Sequence, residues 1–194
     1  MDTRELIIEA AFSCFGRQGL DKTTIVDIAR AADVSRSTIY EYFRDKADIV
    51  EACAEHSSQQ FYLRMSKAMD RGDSLEEKLT LAAVFVARAR RIVEQADELS
   101  LLMTKNAAVL LRETTEFLAP YLTAAKLTGE VRKDLDVAFA GEWFARMLFS
   151  LFSTPSTTVD MNDDEVVASF VRAHIVRGFG SERSSWSRRA ADAG

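Results

Sequence analysis

Leu6, Ile7, Ala10, Ala11, Cys14 and Phe15 recur at i, i+1, i+4, i+5, i+8 and i+9, one face of a helix. Asp2 or Thr3 can cap that helix, with Glu5 three residues after Asp2, and Gly19 is placed to end it in a left-handed cap. Thr23 or Thr24 opens a short second helix through about Ala31. Ala32, Asp33 and Val34 form a tight turn, and Ser35 caps a third helix over residues 36–42. From Lys46 the periodic stretches lengthen. The pattern predicts helices over 46–69, 74–96 with Ser74 and Glu77 as cap and capping box, and 105–126 with Pro120 bending it or ending its regular part. A kinked stretch lies at 98–104. The last two helices fall at 136–153 and 163–178, the second capped by Asn162 with Glu165 three residues on.

Composition sharpens this to an all-α fold. The chain has 194 residues with two prolines and eight glycines, and no Asn-Gly or Gly-Gly hairpin signal. Apolar residues make up 47%, enough for a real core. Residues 1–5 lack the basic-then-apolar pattern of a secretion signal, and the longest nearly apolar run, 79–87, is far short of the ~20 residues a bilayer crossing needs. A soluble cytoplasmic protein without a membrane partner is expected. Cys14 and Cys53 have no partner at motif spacing and read as small core residues, and His56 and His174 stand in no metal-binding pattern. No metal or cofactor is expected, and no activated nucleophile or phosphate loop points to an enzyme.

Three short helices in under fifty residues leave one small core to share, and Ile25, Ile28, Ala32, Val34, Ile39 and Phe43 are spaced to meet in it. Ala29 is small where the second helix must cross closely, and Asp33 stands where the turn needs positive φ. The third helix then exposes Arg36, Ser37, Thr38, Tyr40 and Glu41, a compact hydrogen-bonding face suited to a DNA major groove. Over residues 6–50 the chain resembles the TetR family of bacterial repressors. The resemblance rests on Thr24, Ile28-Ala29, Val34-Ser35, the run Thr38-Ile39-Tyr40-Glu41-Tyr42-Phe43 and Lys46. Asp33 departs from the family's usual Gly. The resemblance implies phosphate contacts from Thr24 and Lys46, groove contacts from Ser35, Arg36, Ser37 and Thr38, and base-methyl or phosphate contacts from Tyr40 and Tyr42. Capping alone would also explain Thr24 and Ser35, and core packing would explain Tyr42. Residues 1–48 hold seven Lys or Arg and nine Asp or Glu, a net of −2 within a chain of net charge −5. Binding would then rest on a few placed cations and hydroxyls, with a moderate salt slope.

The expected domains are a helix-turn-helix head over 1–46, a ligand-binding and dimerisation domain over 47–180, and a loose tail over 181–194. Residues 136–152 are apolar nearly all round apart from Glu142 and Arg146, so that helix must be covered on two sides. Ala138, Gly141 and Ala145 allow close helix approach, and with Val167, Phe170, Val171 and His174 they are the expected dimer interface. A four-helix interface with a second copy matches the family's usual homodimer. Phe61, Met65, Phe85, Met103, Phe117, Tyr121, Trp143 and Met147 are the expected lining of an apolar ligand pocket. Asn106, Arg112, Glu113, Glu142 and Arg146 are polar candidates beside it. The function these readings imply is a DNA-binding regulator, a repressor released from a double-stranded operator by a small lipophilic effector. The alternatives are a ligand-blind DNA-binding dimer and an all-α protein or enzyme that handles lipophilic molecules.

Overall fold

The computed structural model describes residues 2–93, 107–174 and 176. Among them are eight helices: α1 (Thr3–Gln18), α2 (Ile25–Ala31), α3 (Arg36–Tyr42), α4 (Lys46–Met69), α5 (Leu75–Val93), α6 (Ala107–Thr128), α7 (Val137–Ser153) and α8 (Asp164–His174). The expected kink at 98–104, Met103, Asn106 and the tail beyond 180 lie outside the described residues. No described helix is long and apolar enough to cross a membrane.

The chain divides into two compact units, residues 1–63 and 64–194. The first extends past the boundary expected near Lys46 because Ile49, Ala52 and Cys53 of α4 are buried in the same core as Ile7, Ile8, Ala11 and Cys14 of α1. Ile28, Ile39 and Phe43 complete that core, with Ile25, Ala32 and Val34 packed partly buried against it. The six residues read from the α2–α3 spacing therefore do meet. Burial pushes the Cys53 thiol up to about 11, as an apolar surrounding disfavours thiolate.

Local signals set the short helices. Asp2 and Glu5 form a capping box on α1. Gly19 closes that helix at φ +83° and ψ 157°, so the positive φ is there but ψ is extended rather than left-handed helical. Asp33 holds φ +53° in the turn between α2 and α3. Its neighbours close the turn, with the Val34 N–H donating to the Ala29 carbonyl at 3.0 Å.

In the second unit α6 packs along α7, and α5 packs against α7, α8 and α6. The core is drawn from Leu79, Ala83 and Ala87 of α5, Leu118 and Leu122 of α6, Phe144 and Leu148 of α7, and Val167 and Val171 of α8. Helix α6 continues through Pro120 to Thr128, so the proline does not end it. It ends where the Glu130 N–H reaches the Ala125 carbonyl at 2.9 Å and the Gly129 N–H reaches Lys126 at 3.3 Å, a Schellman closure. The cap of α8 is Asp163 rather than Asn162, its carboxylate accepting from the Glu165 and Val166 amides at 2.9 and 3.2 Å. Arg88 and Arg91 of α5 both reach Asp164 on the first turn of α8, and Arg91 also donates to the Met161 carbonyl at 2.8 Å.

Candidate nucleic-acid interface

At the start of α2, Thr24 and Asp27 bind each other reciprocally. The Asp27 amide donates to the Thr24 hydroxyl oxygen at 3.2 Å. That hydroxyl donates to the Asp27 carboxylate at 2.6 Å, and the Thr24 N–H reaches the same carboxylate at 3.0 Å. These bonds to Thr24 hold the Asp27 carboxyl below its ordinary pKa. Thr24 thus caps α2 and stays exposed, so the capping role and an outward-facing position coexist. The spacing of Asp27, three residues after Thr24, is itself a capping-box signal in the sequence.

Ser35 opens α3 in the same manner, accepting from the Thr38 amide at 3.0 Å. Its hydroxyl also lies 2.6 Å from that of Ser37 and 2.9 Å from that of Thr38. Ser35, Arg36, Ser37, Tyr40, Glu41 and Tyr42 are exposed and Thr38 is half-buried, so the outer face of α3 is polar and aromatic. Tyr40 and Tyr42 retain 48% and 42% exposure, which places Tyr42 on the surface and not in the head's core. Ile39, just before them, is fully buried and fixes the rotation of the helix. Arg36 makes no ion pair or hydrogen bond among the described residues, and its charge is available.

Two other head cations are committed elsewhere. Arg44 is paired with Asp48 at 2.9 Å, which draws the Asp48 carboxyl down to about 2. Lys46 turns its ammonium toward the link between α1 and α2, 2.6 Å from the Leu20 carbonyl and 3.4 Å from that of Asp21. No signal in the sequence could show that contact, because its partners lie 26 and 25 residues away and are backbone atoms.

Of the residues expected at the dimer interface and the ligand pocket, some face the chain's own core and others face solvent. Gly141 and Ala145 are buried inside the single chain. A Cβ on Gly141 would stand 3.3 Å from the Thr115 side chain and 3.6 Å from Leu122, both on α6. The small-residue strip does permit close approach, but the helix approached is the chain's own. Val167 and Val171 are likewise fully buried within the unit, while Ala138 and His174 are exposed and Phe170 is half-buried. Conversely, Trp143, expected to line the pocket, is 40% exposed, and its neighbour Phe139 is 77% exposed. On α7, Gly141 is thus seated against the chain's own α6 and Ala145 is buried, while Ala138, Phe139 and Trp143 face solvent.

Met65 is fully buried, and Phe61, Phe85, Phe117, Tyr121 and Met147 are half-buried. The Tyr121 hydroxyl donates to that of Ser66 at 3.1 Å. Glu142 and Arg146 pair with each other at 2.6 Å on the exposed side of α7. A cleft of about 430 Å³ lies elsewhere, between Arg90 and Arg91 and the segment 155–162. Among the described residues no group of three His, Cys, Asp or Glu side chains is placed to hold a metal ion.

Residues 7–53, which hold this interface, match the family described as bacterial regulatory proteins, tetR family. The chain is 40% identical over 101 residues to the HTH-type transcriptional regulator TtgR of Pseudomonas putida, and the match spans only about half of each protein, 48% in both cases. It is 28% identical over 167 residues to the fatty acid metabolism regulator protein of Bacillus subtilis, covering 82% of this chain and 84% of that one. In fold it resembles the crystal structure of FadR from Bacillus subtilis in complex with stearoyl-CoA, with a TM-score of 0.58 at 22% identity over 88% of this chain and 98% of the other. The head with its capped α2–α3 pair is thus similar, over residues 7–53, to the bacterial regulatory proteins of the tetR family, and the helical unit that follows is similar in fold to the solved regulator.

Proposed function

We propose that this protein is a dimeric, sequence-specific DNA-binding repressor that a small apolar ligand releases from its operator. The observation that carries the DNA half is the outer face of α3. An unpaired Arg36, the Ser35, Ser37 and Thr38 hydroxyls and the exposed Tyr40 ring stand on a helix whose other side is locked by Ile39. Guanidinium and hydroxyl groups read base edges in the major groove, and Tyr40 and Tyr42 offer rings to thymine methyls or hydroxyls to phosphate. Thr24, at the start of α2, faces outward as a further phosphate contact. The Bacillus subtilis relative named for fatty acid metabolism, and solved structures of similar fold bound to stearoyl-CoA and to triclosan, support an apolar or acyl ligand.

The dimer is supported by the apolar side chains that α7 and α8 leave in solvent. Phe139, Trp143 and Val166 are exposed, and an open groove over Val166, Ser169, Phe170 and Ala173 runs along α8. A lone protein has little reason to leave rings this exposed. Two copies would present two α3 helices to half-sites about one DNA turn, ~34–36 Å, apart. Because α4 is one unbroken helix that begins in the head unit and ends in the second, a ligand can act by favouring one spacing of the heads over another.

Selection from a random DNA pool, followed by mobility shift with and without long-chain acyl-CoA, tests both halves. Enrichment of a two-fold-symmetric site and its release by ligand is the expected result. Enrichment without release would leave a ligand-blind regulator, and no enrichment with a verified dimer would refute the DNA reading.

A further inference from the structure

The placement of Lys46 points to a role that the resemblance did not supply. Its ammonium does not face outward from the start of α4. It donates to the Leu20 carbonyl at 2.6 Å and lies 3.4 Å from the Asp21 carbonyl, with no carboxylate in ion-pair reach among the described residues. Both carbonyls belong to the short link that leads from Gly19 into α2. Neither is part of a helix, so each needs a donor from outside the backbone ladder or from water. A charged donor at this distance makes a stronger bond than a neutral one. The same link is held at its other side by Thr23, a buried residue whose hydroxyl donates to the Gly19 carbonyl at 2.8 Å. The next residue is Thr24, the cap of α2.

We propose that Lys46 is a positioning residue: it ties the first turn of α4 to the α1–α2 link and so sets where Thr24 and the start of α2 meet the DNA backbone. This rests on the DNA-binding reading above. The consequence is specific. A lysine that neutralises a phosphate contributes to the salt dependence of binding, whereas a lysine whose ammonium keeps its charge but is held on backbone carbonyls, off the phosphates, contributes little. Lys46 also gives the head a mechanical link to α4, since a shift of that helix's first turn pulls directly on the segment ahead of Thr24.

The test compares Lys46→Met, which keeps the aliphatic stem and removes the donors, with Lys46→Arg, which restores them. Two quantities are read: DNA affinity across a salt series on the selected site, and amide hydrogen exchange of residues 19–24 in the free full-length protein. Lys46→Met should weaken binding about ten-fold at every salt concentration, as expected for losing a hydrogen bond to a charged group. Its salt slope should match the parent's, and exchange over 19–24 should accelerate. Lys46→Arg should recover both. As a comparator, Arg36→Ala should lower the slope if that residue meets phosphate. A fall of ~0.9 in slope for Lys46→Met with unaltered exchange would make Lys46 a direct phosphate contact and overturn the proposal. Unaltered exchange and affinity would overturn it as well. If the parent protein selects no DNA the functional reading fails, while the exchange measurement still decides whether Lys46 holds the link.

Discussion

Asp33 occupies φ +53°, and it is the only described residue other than glycine at positive φ. Asp tolerates that region because its short polar side chain adapts locally, whereas a β-branched side chain crowds the backbone there. Asp33 is exposed, so a substitution reports on the backbone alone. Asp33→Val should lower the stability of the protein by about 1–2 kcal/mol in chemical denaturation, and Asp33→Asn should leave it nearly unchanged. Asp48 makes a second residue-level claim. Its carboxyl accepts from the Arg44 side chain and from the Arg44 amide at 3.0 Å, and its pKa falls from 3.8 to about 2. A carboxyl whose folded pKa is depressed stabilises the fold above its unfolded pKa and loses that contribution as pH falls through the folded value. Thermal unfolding midpoints should therefore drop between pH 3.8 and about 2, and Arg44→Met should flatten that part of the curve.

At the level of elements, the contact of α6 with α7 is sensitive to a single substitution. Gly141 lets α7 approach Thr115 and Leu122 so closely that even a methyl group would stand 3.3 Å from the Thr115 side chain. Overfilling a packed interface forces side chains off their rotamers or pushes helices apart. Gly141→Leu should cost roughly 1–3 kcal/mol of stability, read from the denaturation midpoint. The same change placed at the exposed Ala138 should cost little. A result in which the two variants behave alike would mean that Gly141 does not face α6. Short elements such as α2 and α3 depend instead on their caps, since seven residues cannot hold a helix by propensity.

For the whole molecule, the proposal of a dimer turns on the outer faces of α7 and α8. Phe139 at 77% exposure and Trp143 at 40% should go into solvent-excluded contact with a second copy. Phe139→Asp combined with Trp143→Asp places two carboxylates there, and desolvating them unpaired is costly. Sedimentation velocity should show the variant as a monomer with its helical circular dichroism intact, and its affinity for the selected site should fall steeply because one head engages one half-site. A variant that remains dimeric would move the interface elsewhere.

Sequence reading went furthest where the forces are local or where one small core admits a single solution. The caps at Thr24, Ser35 and Ser74, the positive φ at Asp33, and the meeting of Ile25, Ile28, Ala32, Val34, Ile39 and Phe43 all follow from residue type and spacing over fewer than twenty positions. The exposed face of α3 follows with them, since burying Ile39 turns Ser37, Tyr40 and Glu41 outward. Tertiary structure decided the rest. Helix α7 is apolar on both sides, so periodicity could not say which side meets the chain and which meets solvent. Packing settled it by seating Gly141 against α6, burying Ala145 and leaving Phe139 and Trp143 outside. Lys46 was legible as a cation at a helix start, but its partners are carbonyls 25 and 26 residues away, and only the folded chain brings them within 3.4 Å. A sequence specifies what a residue can bond to, and the packing of distant segments specifies which of those groups arrives.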